Sequence, residues 1–452
     1  MAVYKRGIAS LIIATLAIAG AGSSALGAAP GPVVVGYFAN SDVYAGYLPS
    51  DIPAGRYTHI DYAFGQPTSG GACALTDPWA DYQRGFSAAE SVNGHADVNG
   101  QKLKGNFNQL RELKAAHPGL KVMISIGGWT LSKYFSDVAA TPASRAAFVR
   151  SCISLFIKGN LPVDQGAGGT GAAKGVFDGI DIDWEYPGGG GLGGNHHSTA
   201  DRHNATLLFK EFRRQLDALT VSTGRHHLLT AAIPGGGVAG QHYELAAVGA
   251  TLDWINVMTY DMHGAWDPWT NFDSPFANAP GDPTSGSVTN LQGTVSYFRS
   301  HGVPAGKLVV GIPFYGVQYI DVGAAGHGLY QSFDNSGLGA ASGWQGSANP
   351  SYRDLVDVGK VVTSPAGGAT PQGKNGYQRY WSSAAGEPWL WNPSTARGAQ
   401  NVSVFISYED AKSIAERVGL VKSQGLRGLM AWEISQDDGA HDLANAMAKV
   451  LH

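Results

Sequence analysis

The run Phe177-Asp178-Gly179-Ile180-Asp181-Ile182-Asp183-Trp184-Glu185-Tyr186-Pro187 alternates acidic and apolar side chains. In an extended strand successive side chains point to opposite faces, so Asp181, Asp183 and Glu185 share one face while Ile180, Ile182 and Trp184 share the other. Three carboxyl groups confined to one interior face repel one another when all are ionised. At least one should therefore hold a proton near neutral pH, which is the state a general acid requires. A solvated acidic edge would not be interleaved with isoleucines, and a calcium loop carries its ligands on a glycine-containing turn rather than on an apolar strand. The chemistry expected is proton transfer, with Glu185 as the donor.

Such a row needs a scaffold that holds it at a strand end. Short apolar runs recur along the chain at Val33 to Phe38, His59 to Phe64, Lys121 to Ile126, Val176 to Glu185, Leu228 to Ile233, Trp254 to Thr259, Leu308 to Phe314 and Gly428 to Trp432. Helical patterns lie between several of them, including Asn106 to Ala116, Ser144 to Ile157, Ala200 to Thr223 and Asn290 to Ser300. Strands buried on both faces and alternating with helices imply a parallel sheet, and eight such units imply an α/β fold closed as a (β/α)8 TIM barrel. In a barrel the chemistry sits at the C-terminal strand ends, and Ser125, Glu185, Tyr260, Asp261, Tyr315 and Trp432 end these runs. One interval breaks the rhythm. The stretch from Val317 to Ser407 is too long for a loop and contains Tyr377, Tyr380, Trp381, Trp389, Trp391 and a strand-like run, Val402 to Ser407. It reads as a small α+β insertion after the seventh strand, so that 30–316 and 408–452 form the barrel and 317–407 the insert.

The first 29 residues have the layout of a secretory signal peptide: Lys5 and Arg6, an apolar run from Gly7 to about Ala21, then small residues. The apolar run is shorter than the ~20 residues needed to span a bilayer, so a secreted, extracellular protein without membrane attachment after cleavage is expected. The formal net charge is −4 and becomes more negative once Lys5 and Arg6 are removed, which argues against nucleic acid as a partner. With only Cys73 and Cys152 the chain has no disulfide scaffold and no cysteine-based zinc site; one bridge between the two is expected, because adjacent barrel units can bring them together. No metal or cofactor is expected. Gly166-x-Gly168-x-x-Gly171 precedes a strand instead of opening a helix, and His196, His197 and His203 sit in a polar loop without a spaced carboxylate, so neither a dinucleotide nor a metal is inferred from them.

The catalytic strand resembles the signature of the family 18 glycoside hydrolases, Asp-x-x-Asp-x-Asp-x-Glu. The resemblance extends to Ser125-Ile126-Gly127-Gly128, Met258-Thr259-Tyr260-Asp261, Gly311-Ile312-Pro313-Phe314-Tyr315-Gly316 and Trp432-Glu433, in order. The insert resembles that of bacterial chitinases with a deep substrate cleft, although Val317 stands where those often carry Arg after Tyr-Gly. The resemblance implies chitin and chito-oligosaccharides as partners, a monomer, and hydrolysis of β-1,4-N-acetylglucosamine linkages with retention. Asp183 lies beneath Glu185, ~6.5 Å along the same face, and is badly placed to attack the sugar from the opposite side. The family uses the substrate's own 2-acetamido carbonyl instead, through an oxazolinium. On that reading Glu185 is general acid and base, Asp183 steadies the acetamido group, Asp181 shares a proton with Asp183, and Tyr260 fixes the acetamido group with Asp261 nearby. Ser125 and Tyr37 would support Asp181, and Asp178, which opens the signature, is a further supporting residue. Trp432 would floor the reacting sugar, Met258 and Phe64 would wall it, and Trp129 and Trp266 would stack on flanking sugars. A chitin-binding lectin of the same fold and an endo-β-N-acetylglucosaminidase acting on N-glycans are the alternatives; the first typically lacks the acid and the second usually lacks the insert.

Overall fold

The computed structural model describes residues 31–364, 370–397 and 400–452. The expected signal peptide, 1–29, lies outside the described residues. The eight apolar runs form eight parallel strands, Val33–Ala39, His59–Pro67, Lys121–Gly127, Gly179–Asp183, Leu228–Pro234, Trp254–Met258, Leu308–Pro313 and Gly428–Trp432. Each pairs with its sequence neighbour, and the first also pairs with the eighth through Val33↔Gly428 to Gly36↔Ala431, which closes the barrel. The catalytic strand is the fourth. Its outward residues Ile180, Ile182 and Trp184 are buried against the helical layer, with Trp184 stacked on Phe135 at 5.3 Å. Burying each such side chain contributes roughly 1.5–3 kcal/mol. That contribution holds the alternate, acidic face inward.

Helices Gly105–Ala116, Pro142–Cys152, Asp201–Thr223, Leu245–Thr251, Leu291–Ser300 and Ala411–Gln424 follow the second to seventh strands. Their ends are marked locally. Asp410 accepts the N–H groups of Lys412 and Ser413, Asn290 accepts that of Gly293, and Gly425 closes the last of these helices in the left-handed region. The first strand is followed only by 3-10 turns, Asn40–Ala45, Pro49–Asp51 and Ala54–Arg56.

The segment after the seventh strand builds a four-stranded antiparallel sheet in the order Val317–Ile320, Gln400–Ser407, Glu387–Arg397, Gln378–Ser382. Its helical pieces are single turns. Trp389, Trp391, Tyr319 and Phe405 form its core together with Phe272 and Ala279, which come from the loop after the sixth barrel strand. Residues 32–452 accordingly make one compact unit. Three of the five aromatic residues named in the insert, Tyr377, Trp389 and Trp391, are buried; Tyr380 stacks between His327 and Trp389, and Trp381 lies under Lys412.

Two expectations are corrected here. Cys73 and Cys152 are free thiols, not a disulfide. They are neighbours nonetheless, because the Cys73 N–H donates to Ser151 Oγ at 2.8 Å and docks its short strand on the helix, where the buried thiols meet in a hydrogen bond. Asp178 supports the barrel and not the site. At the N-terminal foot of the catalytic strand it accepts the Val122 N–H and pairs with Lys114 at 2.7 Å and with Arg225, at the end opposite the acid.

Candidate active site

The inward row begins with Asp181, which is fully buried. Four donors from four other strands converge on it: the hydroxyls of Tyr37 (2.9 Å), Ser125 (2.8 Å) and Thr230 (2.6 Å), and the amide of Asn256 (3.3 Å). Burial raises its pKa and these donors pull it back down. Asp61, inward on the second strand and also fully buried, accepts from Asn256 at 3.1 Å; burial and the charge of Asp181 hold its carboxyl well above the usual range. Asp183 sits above Asp181 with one carboxyl oxygen unpartnered, and burial followed by the charges of Glu185 and Asp181 raises its pKa strongly. The charge of Asp181 bears directly on Asp183. The charge is best accommodated on Asp181, where four donors meet it, and the proton on Asp183.

Glu185 lies just past the strand end and is buried. Its N–H donates to Ser132 Oγ at 2.9 Å, and its carbonyl accepts from Asn195 at 3.0 Å. The glycine-rich loop 188–194 presses on it: a Cβ on Gly191 would stand 2.0 Å from the Glu185 carbonyl oxygen. Burial, with a further contribution from the charge of Asp261 and against a hydrogen bond to Tyr186, lifts the carboxyl of Glu185 to about 7. A carboxylic acid poised there is protonated in much of the enzyme near neutral pH and can also accept a proton back.

Tyr260 closes the site from the sixth strand. It is buried beside Asp183 and Glu185, and its hydroxyl finds only the Met430 sulfur at 3.8 Å. Asp261 lies at the open rim with φ 53°, and its carboxylate accepts the Tyr315 hydroxyl at 2.8 Å. Beneath these groups the half-buried Trp432 stacks on Phe64 at 5.7 Å and meets Tyr37 at 5.5 Å, with Met258 packed on the same interior cluster. Gly127 and Gly128 permit this packing: a Cβ on the first would lie 2.0 Å from the Asp183 carbonyl oxygen and on the second 2.8 Å from the Phe64 ring. The Ser-Ile-Gly-Gly run is therefore both a support for Asp181 and a close approach.

Outside the row, Trp129 and Trp266 are exposed, 48% and 68%, as stacking surfaces must be. Trp129 touches Tyr186 edge-on, and Trp266 covers Gly264. Val317 is buried in the insert sheet opposite Ser407. Sequence reasoning missed Asp61, Thr230 and Asn256. Each is a polar residue on an otherwise apolar strand, which was the available signal.

A closed α/β barrel with a buried carboxyl group, Glu185, above a row of further carboxyl groups at its C-terminal end is an arrangement suited to a barrel hydrolase. The model of the glycosyl hydrolases family 18 matches residues 33–437, and the chain belongs to that family. It is 36% identical to chitinase A1 of Niallia circulans over 89% of this chain and 56% of that protein, and 34% identical to chitinase C of Streptomyces lividans over 91% and 58%. The chain thus spans under three fifths of the length of these curated relatives. The catalytic domain of psychrophilic chitinase B from Arthrobacter TAD20 superposes with a TM-score of 0.79 at 34% identity, over 93% of this chain and 95% of that one.

Proposed function

We propose that this protein is a chitinase that hydrolyses β-1,4-N-acetylglucosamine linkages in chitin and chito-oligosaccharides with retention, using the substrate's acetamido group as nucleophile. The observation that carries this reading is a pair of neighbouring buried groups whose polar atoms the fold leaves unsatisfied. The Tyr260 hydroxyl lacks an oxygen acceptor and Asp183 has a carboxyl oxygen without a partner. A secondary amide brings one acceptor and one N–H donor, which matches Tyr260 and Asp183. Holding both ends would orient the amide oxygen toward C1.

In the first step Glu185 gives its proton to the glycosidic oxygen, the C1–O bond breaks, and the acetamido oxygen bonds to C1 from the opposite face. The resulting oxazolinium is positively charged, and Asp183 stabilises it by accepting the amide N–H while its own proton passes to Asp181 beneath it. In the second step Glu185, now a carboxylate, takes a proton from water as the water oxygen attacks C1 and reopens the ring. Two inversions give net retention. The relatives' names support chitin as the substrate, and the basic residues followed by an apolar run before residue 30 support secretion.

Release of soluble oligomers from colloidal chitin, followed by NMR, tests this. The β-anomer should appear first, fully deacetylated chitosan should resist cleavage, and Glu185→Gln should fold but lose roughly 10²- to 10⁴-fold in turnover. Initial α-anomer would point to inversion, with another carboxylate such as Asp261 activating the water, and efficient cleavage of the deacetylated polymer with retention would point to such a carboxylate as nucleophile. Binding of chitin without any release would favour the lectin reading.

A further inference from the structure

The loop after the sixth strand is tied to the insert by buried polar groups that the proton chemistry above does not use. Asp273 is fully buried. Its Oδ1 accepts the Asp261 N–H at 2.8 Å, its own N–H donates to Ser407 Oγ at 2.8 Å, and its Oδ2 has no partner. Ser407, the last residue of the insert's sheet, donates its hydroxyl to Glu387 Oε1 at 2.6 Å. Glu387 is also fully buried and lies 4.0 Å from the guanidinium of Arg417, which comes from the helix after the insert and pairs with Glu409 as well. Insert, helix and active-site loop therefore converge on Asp261. That residue holds a left-handed backbone conformation, which Asp adopts more readily than most non-glycine residues and which the bond from its N–H to Asp273 helps to fix.

We propose that Asp273 is a positioning residue for catalysis: anchored to the insert through Ser407 and Glu387, it holds Asp261 where its carboxylate faces Glu185, so that the insert tunes the proton donor. The inference rests on Glu185 being that donor. The groups facing Glu185 are Asp183 from its own strand, Tyr186 beside it and Asp261 from the sixth strand, with Tyr243 and Tyr260 also near. Burial keeps the tyrosines neutral and favours the protonated form of Asp183; it also raises Asp261, which the hydrogen bond from Tyr315 draws back toward its charged form, leaving Asp261 as the variable charge. Its own neighbours are Tyr315 and Asp273. Asp273 in turn faces Asp261, Glu387 and Glu409; burial first, then these charges, favour its neutral form. A neutral carboxyl that accepts one N–H is matched in shape and charge by an asparagine, but not by an alanine.

The test compares Asp273→Ala, Asp273→Asn and Ser407→Ala with Glu185→Gln in the full chain, measuring kcat and KM against pH on a soluble chromogenic chito-oligosaccharide, with circular dichroism as the check on folding. Misplacing a group around the acid costs activity steeply, so Asp273→Ala should lose about tenfold in kcat with a smaller change in KM. Its alkaline limb should move to lower pH, because the Asp261 charge no longer holds the Glu185 proton. Asp273→Asn should restore the limb and most of kcat, and Ser407→Ala should fall between. A folded Asp273→Ala enzyme with the wild-type limb overturns the proposal, as does an Asp273→Asn enzyme that behaves like the alanine variant. Should Asp273→Ala fail to fold, Ser407→Ala decides by the same criterion. Residual activity in Glu185→Gln would instead remove the acid assignment itself, which separates the two failures.

Discussion

A hydroxyl whose best partner is a thioether sulfur at 3.8 Å gains little from the folded state, so Tyr260 contributes little to stability through that group. Its value is reserved for substrate. Tyr260→Phe should therefore leave the melting temperature nearly unchanged while lowering kcat/KM on chito-oligosaccharides by about 10²-fold, the scale of losing one preorganised donor. Steady-state kinetics beside a thermal melt will check it; a large fall in melting temperature would show the hydroxyl to be structural. Asp181 presents the opposite case. Its four donors are committed within the fold, and no lone pair is left for a ligand to claim. On the proposed mechanism it acts through Asp183, by placing a negative charge under a carboxyl that carries or releases a proton.

At the scale of elements, the approach of the third strand to the catalytic strand is governed by glycine. Gly127 has φ 116° and no room for a Cβ. Gly127→Ala should push the third strand away from Asp183, lowering both activity and stability, with a loss of roughly 1–3 kcal/mol from overpacking alone. Denaturant unfolding of the purified variant measures it, and a wild-type midpoint would show that the strand end can shift without consequence. The eight strands were legible because strands buried on both faces read as near-continuous apolar runs, and the acidic row because alternation is the strand's own period. Asp61, Thr230 and Asn256 were not read as site residues, since an isolated polar side chain on an apolar strand does not reveal which distant strand it will face once the barrel closes. The same limit applies to Trp389 and Trp391: the insert's composition announces aromatic residues, but only the packing against Phe272 decides that they are core. Asp178 was misplaced for a simpler reason. Membership in a motif says nothing about which end of the strand a residue occupies.

The molecule as a whole buries many carboxyl groups whose protons the fold retains. Glu185 and Glu387 titrate near 7 against an ordinary 4.5, and Glu433 and Asp437 near 8, in each case mainly because burial disfavours the charged form. Between the unfolded and folded values the native chain binds more protons than the unfolded chain, so stability falls as pH rises. His59 acts on the other side: buried and neutral, with its pKa pushed down to about 4, it costs stability as pH falls from about 6.5 toward 4. The melting temperature should consequently decline from pH 6 to pH 8, each such carboxyl removing at most about 1.4 kcal/mol for every pH step of one that lies below its folded pKa. Calorimetry across that range decides, and a melting temperature that rises toward pH 8 would contradict the burial account. The sheet after the seventh strand belongs to this same body, since its core is completed by Phe272 and Ala279 and its Glu387 lies beside Arg417 of the helix that follows. For recombination between related chains this sets the inheritable unit: a crossover that exchanged 317–407 alone would carry half a core into a foreign socket, whereas one that also carried the loop 262–279 and the helix 411–424 would move a finished piece.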